Sequence, residues 1–333
     1  MRKILLTIAI LIVYNNVFAT IFTCSNANPN PGTYDFYWAM NTANVDDTIY
    51  VSGSVFSYGN ATIDKDVVII GTGHNPQKQN PLKSHFDRLL ITTNGSGARL
   101  ENLEVDVIIT HPNLFFKAYA CKIATLRLTN TNVNPTLSAC VVTDSIYFSD
   151  PVSTLKVYNS LLCCPIEVYN LDGNDYLYNN VFIGTGNFIK CNNTNDGNAI
   201  IRNNIFYGKV PNITGGTLTG TGIGSFTHNV SYLNSFPDDD GNNIVGNPLF
   251  NNVPIGTASF NPTHDYHLQA SSPALTPGDG ASERGLFAAV YGYRIFRPTG
   301  EASIPLIKTM SITPTTVLSG QSIQVNFSSK VNP

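Results

Sequence analysis

Charge is scarce in this sequence: Asp, Glu, Lys and Arg make up 12% of 333 residues. An ordinary soluble protein carries about twice that share. A net charge of -3 gives no electrostatic basis for gripping nucleic acid or an anionic membrane. Past the N-terminus no apolar run is long enough to span a bilayer as a helix. No segment sustains a 3.6-residue period, which argues against crossover helices. The six cysteines, at 24, 121, 140, 163, 164 and 191, contain no Cys-x-x-Cys pair, which argues against zinc. Gly71-Thr72-Gly73 lacks the rest of a dinucleotide motif, and no nucleophile elbow occurs. Asn, Thr, Ser and Gly occupy the polar positions instead, a composition suited to neutral sugars or to display.

What is present is a recurring phrase. It reads Val157-Tyr158-Asn159-Ser160-Leu161-Leu162, Leu177-Tyr178-Asn179-Asn180-Val181-Phe182 and Ile201-Arg202-Asn203-Asn204-Ile205-Phe206, with a looser copy at Phe226-Thr227-His228-Asn229-Val230. Repeats at intervals of roughly 20 to 29 residues mark solenoids. Short strands such as Thr48 to Val51, Val67 to Ile70, Leu103 to Ile109 and Ala124 to Leu128 alternate with Gly, Asn, Asp and Pro. The expectation is an all-β chain wound as a parallel coil. Asn tolerates the left-handed conformation of a sharp bend, and its amide bonds the equivalent amide one turn away. Asn159, Asn179 and Asn203 are therefore expected to form a ladder, with His228 next in line. Alternation places Val157, Leu177, Ile201 and Phe226 inward, then Leu161, Val181, Ile205 and Val230 inward. Tyr158, Tyr178 and Arg202 point outward, with Lys156 and Tyr176 on the same side.

The ends differ from the middle. Arg2, Lys3 and the apolar stretch Ile4 to Val13, closing at Val17-Phe18-Ala19, read as a secretory signal over residues 1–19. Residues 20–46 hold Phe36, Tyr37, Trp38 and Met40, bulky groups that would close the open end of a coil. Export permits disulfides, and Cys140 with Cys163 or Cys164 is one candidate bridge. Cys163 and Cys164 are adjacent and cannot both face inward on a strand.

The phrases Val45-Asp46-Asp47-Thr48-Ile49-Tyr50-Val51 and Ile63-Asp64-Lys65-Asp66-Val67-Val68-Ile69-Ile70-Gly71 resemble the first turns of right-handed parallel β-helix proteins of the pectin lyase-like group. Gly246-Asn247-Pro248-Leu249-Phe250 and Asp265-Tyr266-His267-Leu268-Gln269-Ala270-Ser271-Ser272-Pro273 resemble the last turn of secreted bacterial members. The resemblance implies a single-stranded right-handed β-helix over residues 47–300, with an N-terminal cap and a short C-terminal β extension. Residues 301–333 resemble the start of an immunoglobulin-like β module, which would continue into further C-terminal modules, or else are a tail that packs on the coil.

Enzymes of that group use clustered carboxylates for calcium beside a basic residue. Asp172, Asp175 and Asp196, with Lys190 and Arg202, are the matching candidates here, although acids beside Gly and Asn are also ordinary turn formers. Asp238, Asp239 and Asp240 have a calcium-like composition but no twelfth-position Glu. The Gly-His-Gly and Arg-x-Lys elements of polygalacturonase-like hydrolases are missing, and so are pectin esterase signatures. His264-Asp265-Tyr266-His267 falls in the terminal strand of the resemblance and is assigned a structural role. The candidate binding face is Tyr158, Tyr176, Tyr178, Arg202 and Lys156, with Tyr169 and Glu167 on an adjoining face. Aromatic rings on a rigid sheet stack on sugar faces while Lys and Arg take hydroxyls. The leading expectation is a secreted, non-catalytic protein that binds a polysaccharide or cell-surface glycan or serves adhesion, with no cofactor. The alternative is a polysaccharide lyase or glycoside hydrolase acting on an acidic, pectin-like polymer, with calcium.

Overall fold

The computed structural model describes residues 19–26, 35–75, 81–128, 131–148, 153–169, 174–191, 199–214, 225–236, 242–278, 283–288, 294–298 and 300, and the strands at 305–313 and 324–331. The chain is a parallel β-solenoid. Its first sheet stacks ten strands, each pairing in parallel with the strand one turn away. One column through this sheet runs Ile49, Ile69, Leu100, Ala118, Leu137, Val157, Leu177, Ile201, Phe226, and every member is buried. The inward assignment of Val157, Leu177, Ile201 and Phe226 agrees with this.

The second sheet holds thirteen strands and divides partway along. Val141–Phe148 pairs with Leu161–Leu162 through its first residues and with Ile166–Val168 further on. Beyond that point each turn has a third face, which continues through Asn187–Cys191 and Val210–Thr214. Cys163 and Cys164 sit at this division. Cys164 belongs to the inner core, whereas Cys163 packs outside it. Cys24, Cys121, Cys140, Cys163 and Cys164 are free thiols, so the bridge from Cys140 to Cys163 or Cys164 is not formed, and Cys140 neighbours Cys121 on the adjacent turn.

The Asn doublets divide between them two tasks that the sequence reading gave to one residue. Asn159, Asn179, Asn203 and His228 all take left-handed φ, between 48° and 58°, and so make the corner. The hydrogen-bonded ladder is built by the following residue. The Ser160 N–H donates to Asn180 Oδ1 (3.0 Å), Asn180 N–H to Asn204 Oδ1 (2.9 Å), Asn204 N–H to Asn229 Oδ1 (2.9 Å), and Asn229 N–H to Asn243 Oδ1 (2.8 Å). Each Nδ2 donates to a carbonyl of the preceding turn, as Asn204 does to Leu177 O (2.8 Å). These side chains are fully buried, so the ladder satisfies backbone groups that a sheet cannot reach at a corner.

The left-handed corner also resets the alternation. Leu162, Phe182 and Phe206 point inward, and the rings of Phe182 and Phe206 stack 5.0 Å apart. Leu161, Val181, Ile205 and Val230 therefore face out, against the expectation. They are buried all the same, because the C-terminal segment covers them with Phe250, Tyr266, Leu286 and Phe296. That segment is no further turn of the coil. Phe250–Asn252 and Asp265–Leu268 pair antiparallel. The chain then runs back along the corners: Gly285 N–H bonds Asn203 O, Asn159 Nδ2 bonds Leu286 O and Ala288 O, Arg294 N–H bonds Ser138 Oγ, and Asn102 Nδ2 bonds Gly300 O.

Helix α1 (Phe36–Thr42) packs at the N-terminal end, with Phe36 edge-on to Phe86 and Trp38 edge-on to Phe22. Asp35 caps its start, and Lys65 Nζ gathers the carbonyls of Met40, Asn41 and Ala43 at its end. At the other end of the chain, Pro305–Thr313 and Gln324–Val331 form an antiparallel pair.

Candidate functional site

Parallel pairing in strict register brings side chains that are about 20 residues apart in sequence into contact. Lys156 pairs with Tyr176, and Tyr158 with Tyr178, which pairs in turn with Arg202. Since Val157, Leu177 and Ile201 face in, these residues lie on the outer side of the first sheet. The Tyr158 and Tyr178 rings stack at 6.2 Å and 26°, and the Tyr176 and Tyr178 rings at 6.3 Å and 24°. Lys156 Nζ lies 5.5 Å from the Tyr176 ring centroid. The sequence-predicted face is thus assembled, with one change. Tyr158 is only 6% exposed and precedes the corner that the C-terminal segment crosses. Tyr176 and Tyr178, half-buried, present the usable rings, flanked by Lys156 and Arg202.

The proposed acid cluster has a different fate. Asp175 is buried, and its Oδ1 accepts the Leu155 N–H at 2.6 Å, tying one turn to the previous one. Lys190 pairs with Glu167 at 2.5 Å on the third face. Asp172 and Asp196 lie outside the described residues, as do Asp238, Asp239, Asp240 and most of the segment read as a signal. Asp265 and His267 form a pair at 2.6 Å, and His267 stacks on Phe287 at 3.8 Å, which ties the terminal strand to the returning segment.

A second arrangement, which no motif in the sequence marks, lies on the outer face of the second sheet. One column there runs His85, Glu104, Lys122 and then Val141, Leu161, Val181, Ile205, Val230. Its change from charged to apolar marks where the C-terminal cover begins. In the uncovered part, Glu104 holds Lys83 and Lys122, each at 2.7 Å, and His85 meets Asp106 at 3.0 Å. Burial alone would raise the Glu104 carboxyl, but the two lysines outweigh it and hold it below its ordinary value. His85, Asp87 and Asp106 place one ligand atom each within 4.8 Å of one another. Among the described residues no helix is long and apolar enough to cross a membrane.

No protein-family model matches this chain, and neither a curated protein nor a solved structure matches it significantly.

Proposed function

We propose that this chain is an exported, non-catalytic solenoid that binds a polysaccharide or cell-surface glycan through the outer face of its first sheet. The observation that supports this reading best is the aligned ring pair Tyr176 and Tyr178, with Lys156 against one ring and Arg202 in register beyond the other. Flat rings held at fixed spacing suit the apolar faces of successive sugars, and the flanking cations suit their oxygens. A rigid sheet also spares the ordering cost that a flexible site incurs on binding. The N-terminal signal reading, the right-handed pectin lyase-like coil and an adhesive role belong to the same proposal, as does continuation into further β modules. A chain of this kind needs no cofactor.

The test is a glycan array probed with the full chain and with Tyr176→Ala and Tyr178→Ala variants. Retention on one polysaccharide class, reduced about tenfold or more by either change, supports the reading. Unchanged retention in both variants removes this face as the binding surface. Release of unsaturated or reducing ends from acidic polymers by the wild-type chain would restore the lyase or hydrolase alternative.

A further inference from the structure

We infer that the cleft between the Ser54–Ser57 loop and the Pro81–His85 segment is a separate site for an uncharged saccharide unit. The cleft has a volume of about 440 Å³, within the range typical of small-ligand pockets, and its polar lining includes Lys83, His85, Glu104 and Asp106. Its lip carries Val55 and Phe56, which are 77% and 70% exposed.

The exposed Phe56 sits on a loop held in place at several points. Asn26 Nδ2 donates to Phe56 O and Ser57 O, at 2.9 and 3.0 Å. The Phe56 N–H donates to Ser54 Oγ, the Ser54 N–H to Lys83 O, and the Tyr58 N–H to His85 O. Gly53 lies against Leu82 so closely that a Cβ there would come within 2.6 Å of the Leu82 carbonyl oxygen. Such anchoring fixes the backbone that carries this exposed ring, at the hydrophobic cost of leaving the ring uncovered. An exposed ring beside polar lining groups is the combination that takes the apolar face of a sugar.

The polar lining selects the charge of the ligand. Lys83 and Lys122 both pair with Glu104 and His85 meets Asp106, so the two lysines and two carboxylates together leave no net charge there. A charged ligand meets no opposite net charge there and competes with these pairs, of which Glu104 is the most buried member. Hydroxyl groups can donate to the carboxylates and accept from the lysine without breaking any pair. The site stands on the second sheet and is independent of the tyrosine face, so each can fail without the other.

The experiment is titration calorimetry of the full chain with cellotetraose, xylotetraose and mannotetraose, and with tetragalacturonate as the charged comparison. Wild type is expected to bind at least one neutral probe, Phe56→Ala to weaken it about five- to tenfold, and Phe56→Trp to retain it. Tyr176→Ala and Tyr178→Ala are expected to leave that binding unchanged. Phe56 is exposed, so its variants are expected to keep the wild-type unfolding temperature. Silence of all three neutral probes up to about 10 mM overturns the inference. So does a preference for tetragalacturonate, binding indifferent to Phe56→Ala, or binding that requires added calcium, which would point to His85, Asp87 and Asp106 as an ion site instead.

Discussion

Substituting glycine at Asn179 and at Asn180 in turn should give sharply unequal results. Asn179 has φ 55°, and both its amide atoms are buried with no hydrogen-bond partner among the described residues. Glycine adopts that φ freely and removes two unsatisfied polar atoms. Its extra flexibility in the unfolded chain opposes this by about 0.5–1 kcal/mol, so the net change should be close to zero. Alanine at the same position keeps the strain of a left-handed L-residue and should cost about 1–2 kcal/mol. Asn180 is different: its Oδ1 accepts the Ser160 N–H at 3.0 Å, and its Nδ2 donates to Val157 O at 2.9 Å. Asn180→Gly orphans both backbone groups in a fully buried corner. At about 1–3 kcal/mol for each unsatisfied group, the loss should reach roughly 2–6 kcal/mol. Thermal unfolding followed by circular dichroism separates the cases, since each kcal/mol shifts a chain of this size by about 1–2 °C. Equal loss from Asn179→Gly and Asn180→Gly, or a larger loss from the former, would refute the division of labour within the doublet.

Other perturbations follow from the same contacts. The Glu104 carboxyl is held below its ordinary value of 4.5, so its stabilising contribution is present above that pH and disappears as pH falls through the depressed value. Glu104→Gln should therefore be less stable than wild type at neutral pH, with the gap closing in urea titrations as pH falls through the depressed value. Burial pushes the thiols of Cys24, Cys163 and Cys164 up to about 12. Iodoacetamide at about pH 8 should leave these cysteines unmodified in the native chain and label them in urea, as read by peptide mass spectrometry. Phe296 is buried against Phe287 and Tyr266. Phe296→Ala should cost about 3–5 kcal/mol and raise binding of a hydrophobic dye as the cover over Val181 and Ile205 loosens.

Much of the architecture was legible because parallel stacking repeats its chemistry at each turn. The interval between phrases revealed the coil, and Val157, Leu177, Ile201 and Phe226 were assigned inward by simple alternation. Simple alternation failed at the corner. A left-handed residue turns the chain, so the count restarts at Ser160, Asn180 and Asn204 rather than continuing through them. Leu161, Val181, Ile205 and Val230 gave no internal sign of direction, because a residue covered by a distant segment is as apolar as one facing the core. The signal lay in the column as a whole, where His85, Glu104 and Lys122 precede Val141 and Leu161. Of the candidate binding residues, Lys156, Tyr176, Tyr178 and Arg202 came together through register alone. Tyr158 is buried beside Asn159, which bonds a segment more than a hundred residues later, a neighbour that spacing cannot foretell. The cleft joins residues 54–57 to 81–106, on segments that share no motif.

Hydrogen exchange at the corner amides tests the stacking most directly. The N–H groups of Ser160, Asn180, Asn204 and Asn229 leave the β-ladder but bond side chains of the next turn. If the turns stack as described, these amides exchange as slowly as those of Leu177 and Ile201 within the first sheet. Exchange at the rate of open loops, with the flanking strands still protected, would contradict it.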